Sequence, residues 1–216
     1  MTGVAREVLW SSAGGQGEPG AVTFRYDGET AGESLPTVIE SLVGAPLAVQ
    51  RDLVIGMRGD GTELAAQPGD FWFHTDATFL PVPPRWMVIL VQEADSGGAL
   101  DLLPAECLDS GPLTAPVGFR TAEGVLTAPV LEPVAGLAPG RLRYRRDRMT
   151  EAGDAGDLEK AHAAISAAAA HSTVSVGELR AGYGLLLDNW TVLHRRHAFT
   201  GRRVIRRLWL DPEDDV

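Results

Sequence analysis

Short apolar runs broken by glycine, proline and aspartate dominate this chain, and only one long stretch repeats its apolar positions at helical spacing. Glu7 to Trp10 and Val22 to Tyr26 read as strands separated by a glycine-rich turn, Gly14 to Gly20. Leu35 to Val43 reads as a short helix stopping at Gly44. Arg51 to Met57 is a strand candidate closed by Gly59-Asp60-Gly61. After the turn Gln67-Pro68-Gly69-Asp70, the triplet Phe71-Trp72-Phe73 leads into His74. Trp86 to Gln92 is an apolar run of the kind that a strand buried on both faces carries. Ser96-Gly97-Gly98 then predicts a hairpin into Ala99 to Leu103. Pro104 to Leu108 reads as a short helix, and Phe119 to Leu126, Ala128 to Leu131 and Arg141 to Tyr144 as strands.

The long helix is predicted over Asp157 to His171, where Leu158, Ala161, Ile165 and Ala168 share a face and Asp154 or Asp157 is available as N-cap. Gly184 to Leu187 and Arg203 to Leu210 complete the strands, and the acidic tail Asp211 to Val216 is expected to fray. With no internal repeat or linker, the pattern predicts one domain over residues 1–216, mainly β with helical insertions, built as a barrel or sandwich.

Composition narrows the function. Cys107 is the only cysteine, so no disulfide can form within the chain. The N-terminal residues lack a signal-peptide profile, and no apolar run approaches the ~20 residues that cross a bilayer. A soluble cytoplasmic protein with no membrane partner is expected. The net charge of −10 argues against nucleic acid, which needs a basic footprint. Arginines nevertheless cluster at Arg141 to Arg148 and at Arg195 to Arg207. Most suit surface ion pairs, and the remainder suit an anionic small molecule.

His74-Thr75-Asp76 and the later His194 carry the chemistry. Two imidazoles and a carboxylate are the ligand set that holds Fe(II) on one face and leaves the other open. Residues two apart on a strand point to one side, so His74 and Asp76 are expected to share a metal, with the third ligand arriving from another strand.

Two segments resemble a known family. Gly69 to Asp76, followed by Pro83-Pro84, an apolar strand and Gly97-Gly98, resembles the first half of the Fe(II)/2-oxoglutarate-dependent dioxygenases of the taurine dioxygenase type. Asp188-Asn189-Trp190-Thr191-Val192-Leu193-His194 through Arg203 resembles the distal-histidine segment of their γ-butyrobetaine hydroxylase and clavaminate synthase branches. The resemblance implies a double-stranded β-helix (jelly-roll) fold, with His74, Asp76 and His194 as iron ligands. It also implies O2 and 2-oxoglutarate as co-substrates, with ascorbate as an activator in vitro, and Arg203 as the anchor for the far carboxylate of 2-oxoglutarate. A guanidinium suits that task because it meets a carboxylate bidentately.

Strand alternation puts Arg207 and Ile205 on the side of Arg203, and Arg202, Val204 and Arg206 on the other. Arg207 is therefore expected to support the co-substrate or to reach the primary substrate. One departure from the family stands at Leu100, where a Thr or Ser often bonds the co-substrate; Gln92 and Thr78 are substitute donors. Related halogenases lack the carboxylate that Asp76 supplies, so the resemblance implies hydroxylation, or another oxidation such as desaturation or cyclisation, of a small polar substrate such as an amino acid or specialised metabolite. Phe79, Trp86, Arg143 and Arg145 are candidate substrate contacts. His162 and His171 are expected to face solvent, His197 to face away from the metal, and Cys107, Trp72, Trp86, Trp190 and Trp209 to be core. The rival readings are a jelly-roll binding module without activity and a cupin-like metalloenzyme that does not use 2-oxoglutarate.

Overall fold

A computed structural model describes residues 6–11, 19–26, 34–57 and 66–213. In chain order its strands and helices are β1 (Arg6–Ser11), β2 (Pro19–Arg25), α1 (Leu35–Val43), β3 (Leu47–Met57), β4 (Phe71–His74), β5 (Trp86–Gly97), β6 (Leu100–Pro104), β7 (Pro116–Arg120), β8 (Val125–Pro129), β9 (Leu131–Val134), β10 (Leu137–Leu142), β11 (Met149–Thr150), α2 (Asp157–Ser172), β12 (Val174–Gly177), β13 (Tyr183–Asp188), β14 (Val192–Arg196) and β15 (Phe199–Pro212). The turn predicted at Gly59-Asp60-Gly61, and most of that at Gly14 to Gly20, lie outside the described residues.

Two antiparallel sheets organise the molecule. The larger has the order β1-β2-β13-β5-β15-β3, the smaller β12-β6-β14-β4. The chain crosses from one to the other at each of the steps β4 to β5, β5 to β6, β13 to β14 and β14 to β15. This is the jelly-roll arrangement, and it places the two inner faces opposite one another.

Alternation along β5 explains its unbroken apolar run. Met87, Ile89 and Val91 join Leu100, Leu102 and Val192 of the smaller sheet in a core between the sheets. Trp86, Val88 and Leu90 point the other way and are covered by Leu35, Val38 and Ile39 of α1. A third cluster covers the outside of the smaller sheet, where Phe73, Leu103 and Leu193 meet Ala161 and Ile165 of α2 and residues of β7 to β11.

Several expectations are corrected. Gly97-Gly98 makes no hairpin: β5 and β6 lie in different sheets. Both glycines adopt positive φ, and Gly97 packs so close to Ala198 that a Cβ would lie 2.8 Å from its carbonyl. The strand predicted over Phe119 to Leu126 is two, β7 and β8, paired around a turn at residues 121–124. Gly156, not an aspartate, caps α2. Asp211 and Pro212 extend β15 instead of fraying.

Candidate metal centre

The site begins with a cross-strand pair. His74, the last residue of β4, lies opposite His194 in the middle of β14, and their ring centroids are 4.1 Å apart. Asp76 joins them, so that ligand atoms of all three lie within 4.8 Å of one another. Asp76 does not share a strand with His74, as alternation had predicted. β4 ends at His74, and Asp76 sits in the following turn, where Ala77 has a φ of 56°.

Because the turn has no ladder to fix it, side chains from distant segments do. Asn189 accepts the Asp76 N–H through Oδ1 at 2.7 Å and donates through Nδ2 to the carbonyls of Asp76 at 3.3 Å and Pro84 at 2.9 Å. Trp190 donates its indole N–H to Pro83. The Asn-Trp pair before His194 thus clasps the ligand turn and the prolines beyond it. Arg143 ties the same turn from another side, donating to the carbonyls of Thr78, Leu80 and Pro81.

The centre is electrostatically ready for a cation. His74 donates from Nδ1 to the Trp72 carbonyl at 2.7 Å, which leaves Nε2 as the basic nitrogen. Burial, then the neighbouring His194, hold His74 well below the ordinary imidazole value, and burial holds His194 at about 4. Burial pushes Asp76 up, but Arg207, His194, His74 and the Trp209 hydrogen bond outweigh it and leave the carboxyl at about 2. Neutral imidazoles beside an ionised carboxylate are the protonation states metal binding requires. His194 Nδ1 is buried without a hydrogen-bond partner among the described residues.

These ligands open into a pocket of about 440 Å³ including its mouth. Met87, Ile89, Leu100 and Ile205 supply apolar walls, and Arg196, Arg203 and Arg207 supply charge. Arg203 is only 1% exposed, yet its Nε and Nη1 have no hydrogen-bond partner among the described residues. Room for it comes from Gly98, where a Cβ would stand 2.7 Å from Nη1. A buried cation with unused donors is costly unless an anion completes it, so the residues fit a carboxylate ligand next to a metal.

The other predicted residues divide. Arg207 faces the pocket as alternation requires, and its Nη1 lies 3.2 Å from Asp76 Oδ2. Arg202 and Arg206 pair outside with Glu93 and Asp52. Phe79 packs near Trp209, with centroids 6.2 Å apart. Arg145 stands beside the centre, its backbone bridged to His74 and its guanidinium paired with Asp147. Trp86 is fully buried beneath α1, on the opposite face of β5 from the pocket, and is not a substrate contact. Arg143 spends both Nη1 hydrogens and one of Nη2 on three carbonyls, making it a brace for the ligand turn. Gln92 is exposed, which removes it as a co-substrate donor.

His162 is buried against the Tyr144 hydroxyl at 3.0 Å instead of facing solvent. Cys107 is exposed, and Trp72 is 38% exposed beneath the Arg195 guanidinium. His197 is not among the clustered ligand residues and bonds Asp101 at 2.6 Å. Sequence reasoning missed Arg196, Asn189 and Trp209 as parts of the site. Arg196 and Trp209 were reachable by alternation, each lying two residues beyond a residue already placed.

No protein-family model matches the sequence, and no curated protein matches it. Solved structures resemble its fold. The non-heme iron oxygenase OrfP, in complex with Fe, succinate and (3S)-hydroxy-L-Arg, superposes with a TM-score of 0.64 at 15% identity, over 86% of this chain and 68% of that one. Its complex with Fe and alpha-ketoglutaric acid gives 0.56 at 15%, over 73% and 56%. Asparagine oxygenase in complex with Fe(II), 2S,3S-3-hydroxyasparagine and succinate gives 0.62 at 20%, over 88% and 73%. In two of the OrfP structures the chain spans only 63% and 56% of the oxygenase's length. The shared feature is the fold.

Proposed function

We propose that this chain, which has the jelly-roll fold of the non-heme iron oxygenases, is an Fe(II)- and 2-oxoglutarate-dependent oxygenase that hydroxylates a small polar substrate of the amino-acid class. The observation that carries the reading is one pocket holding both the His74, Asp76 and His194 ligand set and the buried guanidinium of Arg203, whose Nε and Nη1 have no partner among the described residues. His74, Asp76 and His194 would hold the iron, and Arg203 would take the far carboxylate of 2-oxoglutarate. Iron bound there would supply the activation of O2 that couples oxidation of 2-oxoglutarate, to succinate and CO2, with hydroxylation of a C–H bond.

The chain's residues position and protect. Met87, Ile89, Leu100 and Ile205 keep the pocket apolar, which strengthens the charge pairing at Arg203. Arg207 is a second cation for an anionic group. Phe79 beside Trp209 and Arg145 bridged to His74 stay as candidate contacts for the primary substrate. OrfP and asparagine oxygenase have hydroxylated arginine and asparagine in their complexes, which supports an amino-acid substrate.

Anaerobic calorimetry with Fe(II) and 2-oxoglutarate tests this reading. Wild type is expected to bind both, with 2-oxoglutarate binding lost in Arg203→Ala. Binding of neither makes the chain a scaffold. Iron binding and activity indifferent to Arg203→Ala make it a metalloenzyme of another kind.

A further inference from the structure

The carboxylate of Asp76 has two oxygens, and among the described residues one hydrogen bond tells them apart. Asn189 fixes the main chain of Asp76 and leaves the carboxylate free to turn about its own bonds. Arg207 neutralises it without choosing, since Nη1 lies 3.2 Å from Oδ2 and 3.4 Å from Oδ1. The Trp209 indole N–H does choose, donating to Oδ2 at 2.9 Å. Oδ1 then lies 3.9 Å from His74 Nε2.

We infer that Trp209 is a positioning residue for the metal site, holding Asp76 Oδ2 so that Oδ1 is the oxygen presented to the metal. The inference rests on the iron-site reading above. An indole suits this task better than Arg207 does. It is a neutral donor, so it orients a carboxylate without repelling an incoming divalent cation. It is also fixed in place. Trp209 is 5% exposed within the core between the sheets, opposite Met87 of β5 and Arg51 of β3. The guanidinium groups of Arg51 and Arg207 lie over its ring at 5.1 Å and 5.4 Å. Partners that orient a metal ligand typically change metal affinity 10–100-fold when removed.

Co(II) affinity of the full chain, measured by competition with a chromophoric chelator, tests the role. Trp209→Phe keeps the ring and removes the N–H. It is expected to weaken Co(II) binding by about tenfold and to alter the visible Co(II) absorption, because the freed carboxylate can offer either oxygen. Trp86→Phe, a matched loss of indole on the far face of β5, is expected to bind as wild type does. Equal affinity in wild type and Trp209→Phe overturns the inference, and so does equal weakening in both variants. Failure of wild type to bind Co(II) overturns the iron-site reading itself. Should Trp209→Phe not fold, a 15N-indole spectrum of wild type, assigned through contacts with Met87, decides. Zn(II) should displace the Trp209 signal most among those of the five tryptophans; an unmoved signal overturns the inference.

Discussion

Arg203 is expensive for the fold that contains it. Its guanidinium is buried with two nitrogens unpartnered among the described residues, and such a group lowers stability unless a ligand completes it. Arg203→Met should therefore hold or raise the melting temperature while raising the dissociation constant for 2-oxoglutarate by thirtyfold or more, the equivalent of about 2 kcal/mol. Calorimetry and thermal unfolding on one sample check both halves. The imidazoles also lower stability, but only toward acid pH. Unfolded histidine titrates near 6.5, whereas His194 in the fold titrates at about 4. Between those values the unfolded chain binds the extra proton, so the stability of metal-free protein falls as pH drops from 6.5 toward 4. His194→Gln should flatten that part of the melting-temperature profile.

At the scale of strands and turns, period two was a reliable guide only where the chain stays a strand. Along β15 it placed Arg203, Ile205 and Arg207 inward and sent Arg202 and Arg206 to outer ion pairs. One more step would have reached Trp209. It failed at Asp76, because β4 stops at His74 and the turn is set by Asn189 and Arg143, whose reach across the chain leaves no periodic signal. The paired glycines were legible as a turn, but not as a passage between sheets or as the space for Arg203. Gly98 has a φ of 72°, and its missing side chain faces the Arg203 guanidinium. Gly98→Ala should cost about 1 kcal/mol or more and weaken 2-oxoglutarate binding about tenfold by displacing the bidentate partner. Iron binding should be unaffected in the same titration.

Across the whole molecule, the sheets serve the centre from opposite sides. The smaller sheet brings the two histidines into register and adds Arg196, the larger brings Arg203 and Arg207, and the crossing between them carries the carboxylate. Apolar patterning was enough to read a mainly β fold with one long helix. It was not enough to read sheet membership, which depends on pairings between residues far apart in sequence. The helices act at a distance from the chemistry: α2 covers the outside of the smaller sheet through Ala161 and Ile165. Ile165→Ala should lower stability by about 2–5 kcal/mol in denaturant titrations, with iron affinity unchanged below the transition. Succinate release tests the central claim most directly. With Fe(II), ascorbate, O2 and a panel of amino acids, wild type should convert 2-oxoglutarate to succinate, faster with one substrate than with none. His74→Ala and Asp76→Ala should form none. Succinate formed equally by wild type and both variants, or by none of the three under any substrate, would contradict the account.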